Sequence, residues 1–140
     1  MTLSDSAANR DLLTYLCARA TRGSGGPYEQ DGWELHTHPD LVERLGEIAR
    51  SDRAVVAVYG YAVLEQKGVA VVVALGTSHL LFRLRAAPEG VVAATPIEPL
   101  CGNGRGWHAV DAWSSDARRL VALVKDARRH ANTLEDSDLG

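Results

Sequence analysis

The chain has 140 residues, 46% of them hydrophobic and 24% charged, and a formal net charge of −3. That length suits one domain and is short for two, and the balance is that of a folded globular protein, which excludes a mainly disordered chain. A negative total gives no bulk attraction to nucleic acid or to an anionic membrane. The longest apolar run, Val69 to Leu75, falls far short of the roughly 20 residues that cross a bilayer.

In chain order, a first helix is expected over about Asp5 to Ala20, with Leu12, Leu13, Leu16, Cys17 and Ala20 on one stripe. The run Arg22 to Pro27, with three glycines and a proline, stops it and makes it an arm or a flap over the rest. A short strand is expected around Trp33 to Leu35. Pro39 suits the first turn of a second helix, whose stripe is Leu41, Val42, Leu45, Ile48 and Ala49 and which Ser51-Asp52 ends. On its polar face Glu43 stands two turns from Arg50.

Arg53 to Arg85 reads as a three-strand antiparallel meander. Ala54 to Tyr59, Val69 to Leu75 and His79 to Arg85 are rich in β-branched and apolar residues, and Gln66-Lys67-Gly68 and Gly76-Thr77-Ser78 supply turns. In the last strand Leu80, Phe82 and Leu84 alternate with Leu81, Arg83 and Arg85, which predicts one apolar face and one increasingly charged face. Ala86 to Gly106 is irregular. A later strand is expected at Trp107 to Trp113, and a final helix starts behind Ser114-Ser115-Asp116, with Ala117, Leu120, Val124, Ala127 and Ala131 on its core stripe and Leu123 and Val121 widening it.

The expected fold is therefore α+β: a single antiparallel sheet, the three-strand meander plus a later strand, with helices packed on one face. Residues 1–22 form the N-terminal helix, 23–38 a Gly-rich loop and short extended segment, 39–135 the compact core and 136–140 an acidic tail. The opening residues place no apolar segment behind a basic one, so no export signal is read. A cytoplasmic location follows, with Cys17 and Cys101 as reduced thiols.

Three patterns bear on chemistry. His36 and His38 are two residues apart, which on extended chain points both imidazoles to one side, half of a zinc site. Cys17, Cys101 and His108 are the further ligands to hand, but none stands at a zinc-site spacing. Gly102 to Gly106 has the glycines of a phosphate loop but precedes a strand, and from it Arg105 is placed to meet an anion. Arg118, Arg119, Lys125, Arg128, Arg129 and His130 make the final helix basic, as a nucleic-acid face would be, although cations near a helix C-terminus also complement its dipole.

Two resemblances follow from quoted residues. His36-Thr37-His38-Pro39 is similar to the His-x-His-Pro element of JAMM-type metalloproteases, which would imply zinc and a hydrolase. Ser51 and Asp52 stand adjacent after a helix and Glu29 is the only glutamate before Glu34, both departures from that family's pattern. Tyr59 to Gly68, His79 to Leu84 and Gly106 to Val110 together resemble the glycine–aromatic strand, the Arg-Leu strand and the closing Gly-Trp strand of YjbR and TfoX N-terminal-like domains. That resemblance implies a small, usually cytoplasmic bacterial α+β domain without established enzymatic activity or cofactor, some of whose relatives bind DNA. A type III secretion chaperone-like fold has the same coarse order and would imply a dimeric partner-binding module.

The expected function is a non-enzymatic domain that binds a partner protein or a small ligand through Trp33, Arg83, Arg85, Arg105 and Trp107, with His36 and His38 beside them. No cofactor is expected on this reading. The alternatives are a zinc hydrolase centred on His36 and His38 and a weak nucleic-acid binder using the final helix; a homodimer is compatible with each.

Overall fold

The computed structural model describes residues 3, 7–23, 29–30, 32–50, 55–86, 88–94 and 106–132. Three helices, α1 (Ala7–Arg19), α2 (Pro39–Ala49) and α3 (Ala117–Asn132), accompany a short hairpin, β1 (Glu29–Gln30) and β2 (Trp33–Glu34). The main sheet has five antiparallel strands in sequence order: β3 (Val55–Val58), β4 (Tyr61–Gln66), β5 (Val69–Leu75), β6 (His79–Arg83) and β7 (Trp107–Asp111). The class is α+β with one main antiparallel sheet. No helix among the described residues is long and apolar enough to cross a membrane.

The sheet holds five strands where a three-strand meander plus one later strand is expected from sequence, because Tyr59-Gly60 divides the stretch from Val55 to Gln66 in two. Both residues have positive φ, 51° and 86°, and Val58 pairs with Tyr61 across them. A two-residue turn with two positive φ values twists in the sense that strands require. Lys67-Gly68 repeats the device between β4 and β5, with φ of 52° and 83°. Glycine at Gly60 is required for space as well: the Glu34 carbonyl occupies the place where a side chain would begin.

Helix α2 starts with Pro39 at its first turn and His38 as its cap, and stops at Arg50 in left-handed conformation. The stop therefore precedes Ser51-Asp52, which lie outside the described residues. Asp116 accepts the Arg118 amide N–H at 2.9 Å and caps α3. Ser115 instead holds the Val92 amide at 2.9 Å. Val92 and Ala94 bond β7 through Asp111 and Ala109. That short segment covers the outer edge of β7, so among the described residues β3 is the edge strand left without a neighbour.

Every residue of β5 is buried, so the strand must be covered on both faces. One face packs Leu41, Leu45 and Ile48 of α2 and Leu120, Leu123 and Val124 of α3 against Leu64, Val72, Leu80 and Phe82. On the other, Leu12, Tyr15 and Leu16 of α1 join Val63, Val73, Leu81 and Trp107. Helices α2 and α3 thus contribute to one core cluster and α1 to the other. The α1 stripe is also rotated: Asn9, Leu12, Tyr15 and Leu16 are buried and Cys17 is exposed. In α3, Ala117 is exposed and Leu123 takes a place in the core.

Replacing Gly60 by alanine is expected to lower unfolding free energy by about 3 kcal/mol or more, since strain at positive φ adds to a backbone clash. Gly76→Ala, with φ of 63° and open space around the new methyl, should cost only about 1 kcal/mol. Denaturant unfolding of the two variants checks the ratio.

Candidate functional site

The His36-Thr37-His38 segment is a strap across the end of the sheet. His36 N–H donates to Gly60 O at 2.8 Å, Gly76 N–H to His36 O at 2.7 Å, and His38 N–H to Gly76 O at 2.8 Å. Between them the Thr37 hydroxyl donates to Ala74 O at 2.6 Å and accepts from the Ala62 amide at 3.0 Å. Ala62 and Ala74 are cross-strand partners, so the hydroxyl is inserted into one rung of the ladder.

The two histidines then diverge in role. The His36 ring stacks on Tyr61 at 5.0 Å and 14°, with its Nε2 buried and without a hydrogen-bond partner among the described residues. His38 Nδ1 accepts the Asp40 amide at 3.1 Å, the capping bond of α2. Among the described residues, no group of three or more His, Cys, Asp or Glu side chains is arranged to hold a metal ion. Cys101 lies outside them, as does Arg105.

Arg83 and Trp107 do not lie on an open surface. Arg83 is 7% exposed and Trp107 3%. The Arg83 guanidinium lies over the Trp107 ring at 4.6 Å and its Nε donates to Ala70 O at 2.8 Å. Burial lowers its pKa to about 10, opposed by the nearby Asp11 carboxylate of α1, so the group remains a cation at neutral pH. Asn9 completes the seam under α1, accepting the Ala70 amide at 3.0 Å and donating to Gly68 O at 2.8 Å. Ala70 needs these partners because pairing of β5 with β6 runs only from Leu75 to Val72.

Trp33 is half-buried, edge-on to Tyr59 at 5.2 Å and covered by the Arg22 guanidinium at 4.3 Å. Nearby, burial raises the pKa of Tyr61, with Arg19 opposing. On β7, burial lowers that of the His108 imidazole.

Arg85 stands apart from these and lines a cleft of about 540 Å³ between the segment after β6 and α3. Its apolar floor is Leu84, Pro88 and Leu123, and Arg119, Arg129 and His130 converge on it from α3. Arg85 Nε donates to His130 Nδ1 at 3.3 Å, and Arg119 Nε to Glu89 O at 2.5 Å. Arg129 lies 3.6 Å from Asp126, which also lines the cleft.

The basic residues of α3 are thus divided among several directions by the 100° turn per residue. Arg119 and His130 face the cleft, whereas Arg128 reaches back to Ala49 O at 3.4 Å and its Nε is buried. Arg118 and Lys125 are exposed. The signal for this cleft was present as Arg119, Leu123, Asp126 and His130, spaced to share one helix face.

One further cluster was not apparent from sequence. Ser78 Oγ and His79 Nδ1 are 3.2 Å apart, and Asp111 is the cross-strand partner of His79. These are the residue types of a hydrolytic triad. Here, however, Asp111 Oδ1 accepts the Ser114 amide at 2.8 Å and the Trp113 amide at 2.9 Å, a turn-forming role.

No protein-family model matches the chain, and no curated protein or solved structure matches it. Those comparisons leave the resemblance to YjbR and TfoX N-terminal-like domains untouched.

Arg83→Met is expected to lower stability by about 1–3 kcal/mol, because Ala70 O loses its side-chain donor while buried. An arginine kept for ligand contact alone would leave unfolding unchanged. The Asp111 pKa lies below the usual 3.8, held down by the Ser114 and then the Trp113 amide, with burial opposing. Its stabilisation is therefore complete above that ordinary value and is lost as pH falls through the lowered one. Asp111→Ala should cost about 0.5–1 kcal/mol at pH 7, and its thermal midpoint should meet the parent's in strong acid.

Proposed function

We propose that this chain is a non-enzymatic, cytoplasmic binding domain whose ligand is a small anion carrying an apolar body, seated in the cleft between the end of β6 and α3. The observation that carries this reading is the convergence of Arg85, Arg119, Arg129 and His130 over the apolar floor of Leu84, Pro88 and Leu123. Guanidinium groups are planar multi-donors suited to carboxylate and phosphate oxygens, and their weak hydration lowers the cost of desolvation on binding. An apolar floor with few convergent polar groups is the usual make-up of a small-molecule site.

Within the cleft Arg85 meets His130, Arg119 a backbone carbonyl and Arg129 the Asp126 carboxylate, and Glu89 is a second carboxylate of the lining. Those contacts hold the donors in position, so an entering anion meets a set of guanidinium groups that need little ordering. The reading leaves Trp33, Arg83 and Trp107 as packing residues and keeps Arg85 as the member of the sequence-derived set that touches ligand.

Calorimetric titration with phenyl phosphate, inorganic phosphate and phenol tests it. Phenyl phosphate is expected to bind more tightly than either of the others. Arg85→Ala and Arg129→Ala should each weaken it about tenfold, the loss of one charge-assisted hydrogen bond. Arg118→Ala, on the exposed side of α3, should leave it unchanged. Equal binding of phenol and phenyl phosphate, or indifference to both cleft arginines, would refute the proposal.

A further inference from the structure

The second edge of the sheet points to a different kind of partner. Val55-Val56-Ala57-Val58 carries no charge, no proline and no bulge, the devices by which edge strands avoid pairing with other chains. The opposite edge, β7, is covered by Val92 and Ala94. Beside β3 lies an apolar groove of about 330 Å³ bounded by Leu35, Pro39, Val42 and Ala57, with Val42 36% and Leu35 37% exposed.

We infer that β3 is the dimer interface of this protein, pairing antiparallel with β3 of a second copy about a twofold axis at Val56. The register follows from hydrogen-bond parity. Val58 and Tyr61 flank a two-residue turn and so form a hydrogen-bonded pair. The next pair, Ala57 with Ala62, is then non-bonded, in keeping with the Ala62 amide, which donates to Thr37 instead. Alternation makes Val56 bonded to β4 and turns the N–H and C=O of both Val55 and Ala57 outward.

Those four groups are self-complementary. With the axis at Val56, Val55 faces Ala57 of the second copy and Ala57 faces its Val55. Both are hydrogen-bonded pairs, and the two Val56 residues meet as a close non-bonded pair between them. No outward donor or acceptor of Val55 and Ala57 is left over.

Charge bears on the same axis. Glu43, Glu47 and Arg50 line the surface beside Val55, and Glu47 is offset by Arg44 at 3.9 Å. Glu43 and Arg50 are seven residues apart on α2, about 10 Å along the helix, too far to pair with each other. A twofold axis reverses the second α2, so that Glu43 of each copy faces Arg50 of the other across the groove. Any extended strand could satisfy the hydrogen bonds of this edge; the exchange of Glu43 and Arg50 is what a second copy adds to them.

Sedimentation equilibrium on the full chain tests this without any ligand, so its result is independent of the cleft. A dimer in the micromolar range is expected. Ala57→Pro removes an outward N–H, twice per dimer, without removing a bond inside the sheet. It should weaken the dimer at least about tenfold while circular dichroism stays that of the parent. Glu43→Arg alone and Arg50→Glu alone should weaken it too, and the double variant should restore it. If Ala57→Pro does not fold, the charge-exchange set decides alone. A monomer at every concentration, assembly beyond a dimer, or a dimer indifferent to these substitutions would overturn the inference.

Discussion

The peptide group of Ala70 governs how the two halves of this molecule fit together. It lies in a strand buried on both faces, beyond the last β5–β6 pair at Val72, so its N–H and C=O need side-chain partners. Asn9 and Arg83 supply them, one from α1 and one from β6. A buried unpaired peptide costs about as much as several ordinary hydrogen bonds contribute. The first helix is therefore held in one position by directional bonds, and the apolar contacts of Leu12 and Leu16 add energy without having to choose the register.

This also explains what was and was not legible in the residues. Helices α2 and α3 follow from their apolar spacing, apart from Val42 and Ala117, which the spacing predicts on the buried stripes and which are exposed. The α1 stripe does not, since Asn9 is a core residue whose place is decided by a distant peptide. Arg83 misled for the matching reason. In an alternating strand it marks a wet face, but here the face is dry and the cation is matched by an aromatic ring, a carbonyl and a carboxylate. Tyr59 hid a turn, because a bulky residue is seldom found in left-handed conformation and the stretch around it reads as one strand.

The candidate site was legible in part. Arg85 and the basic end of α3 were visible as separate features, and their meeting depends on the chain's return after β6, which no periodicity encodes. The arginines illustrate the difficulty of reading charge from a string. Arg83 supports a buried strand, Arg128 ties α3 to the end of α2, Arg44 holds Ala112 O, and Arg119 and Arg129 open onto a cleft. One residue type serves four surroundings, each fixed by tertiary position.

The segment from Val92 to Ala94 has an effect on a larger scale than its three residues suggest. By occupying the outer side of β7 it makes the sheet polar in the sense of a polymer end: one end is blocked and the other is open. Strand addition at the open end consumes the one edge that the described residues leave for growth. The sheet therefore lacks the two reactive ends that a fibre requires, and loss of the Ser115 anchor for Val92 would convert a chain terminator into a bifunctional monomer.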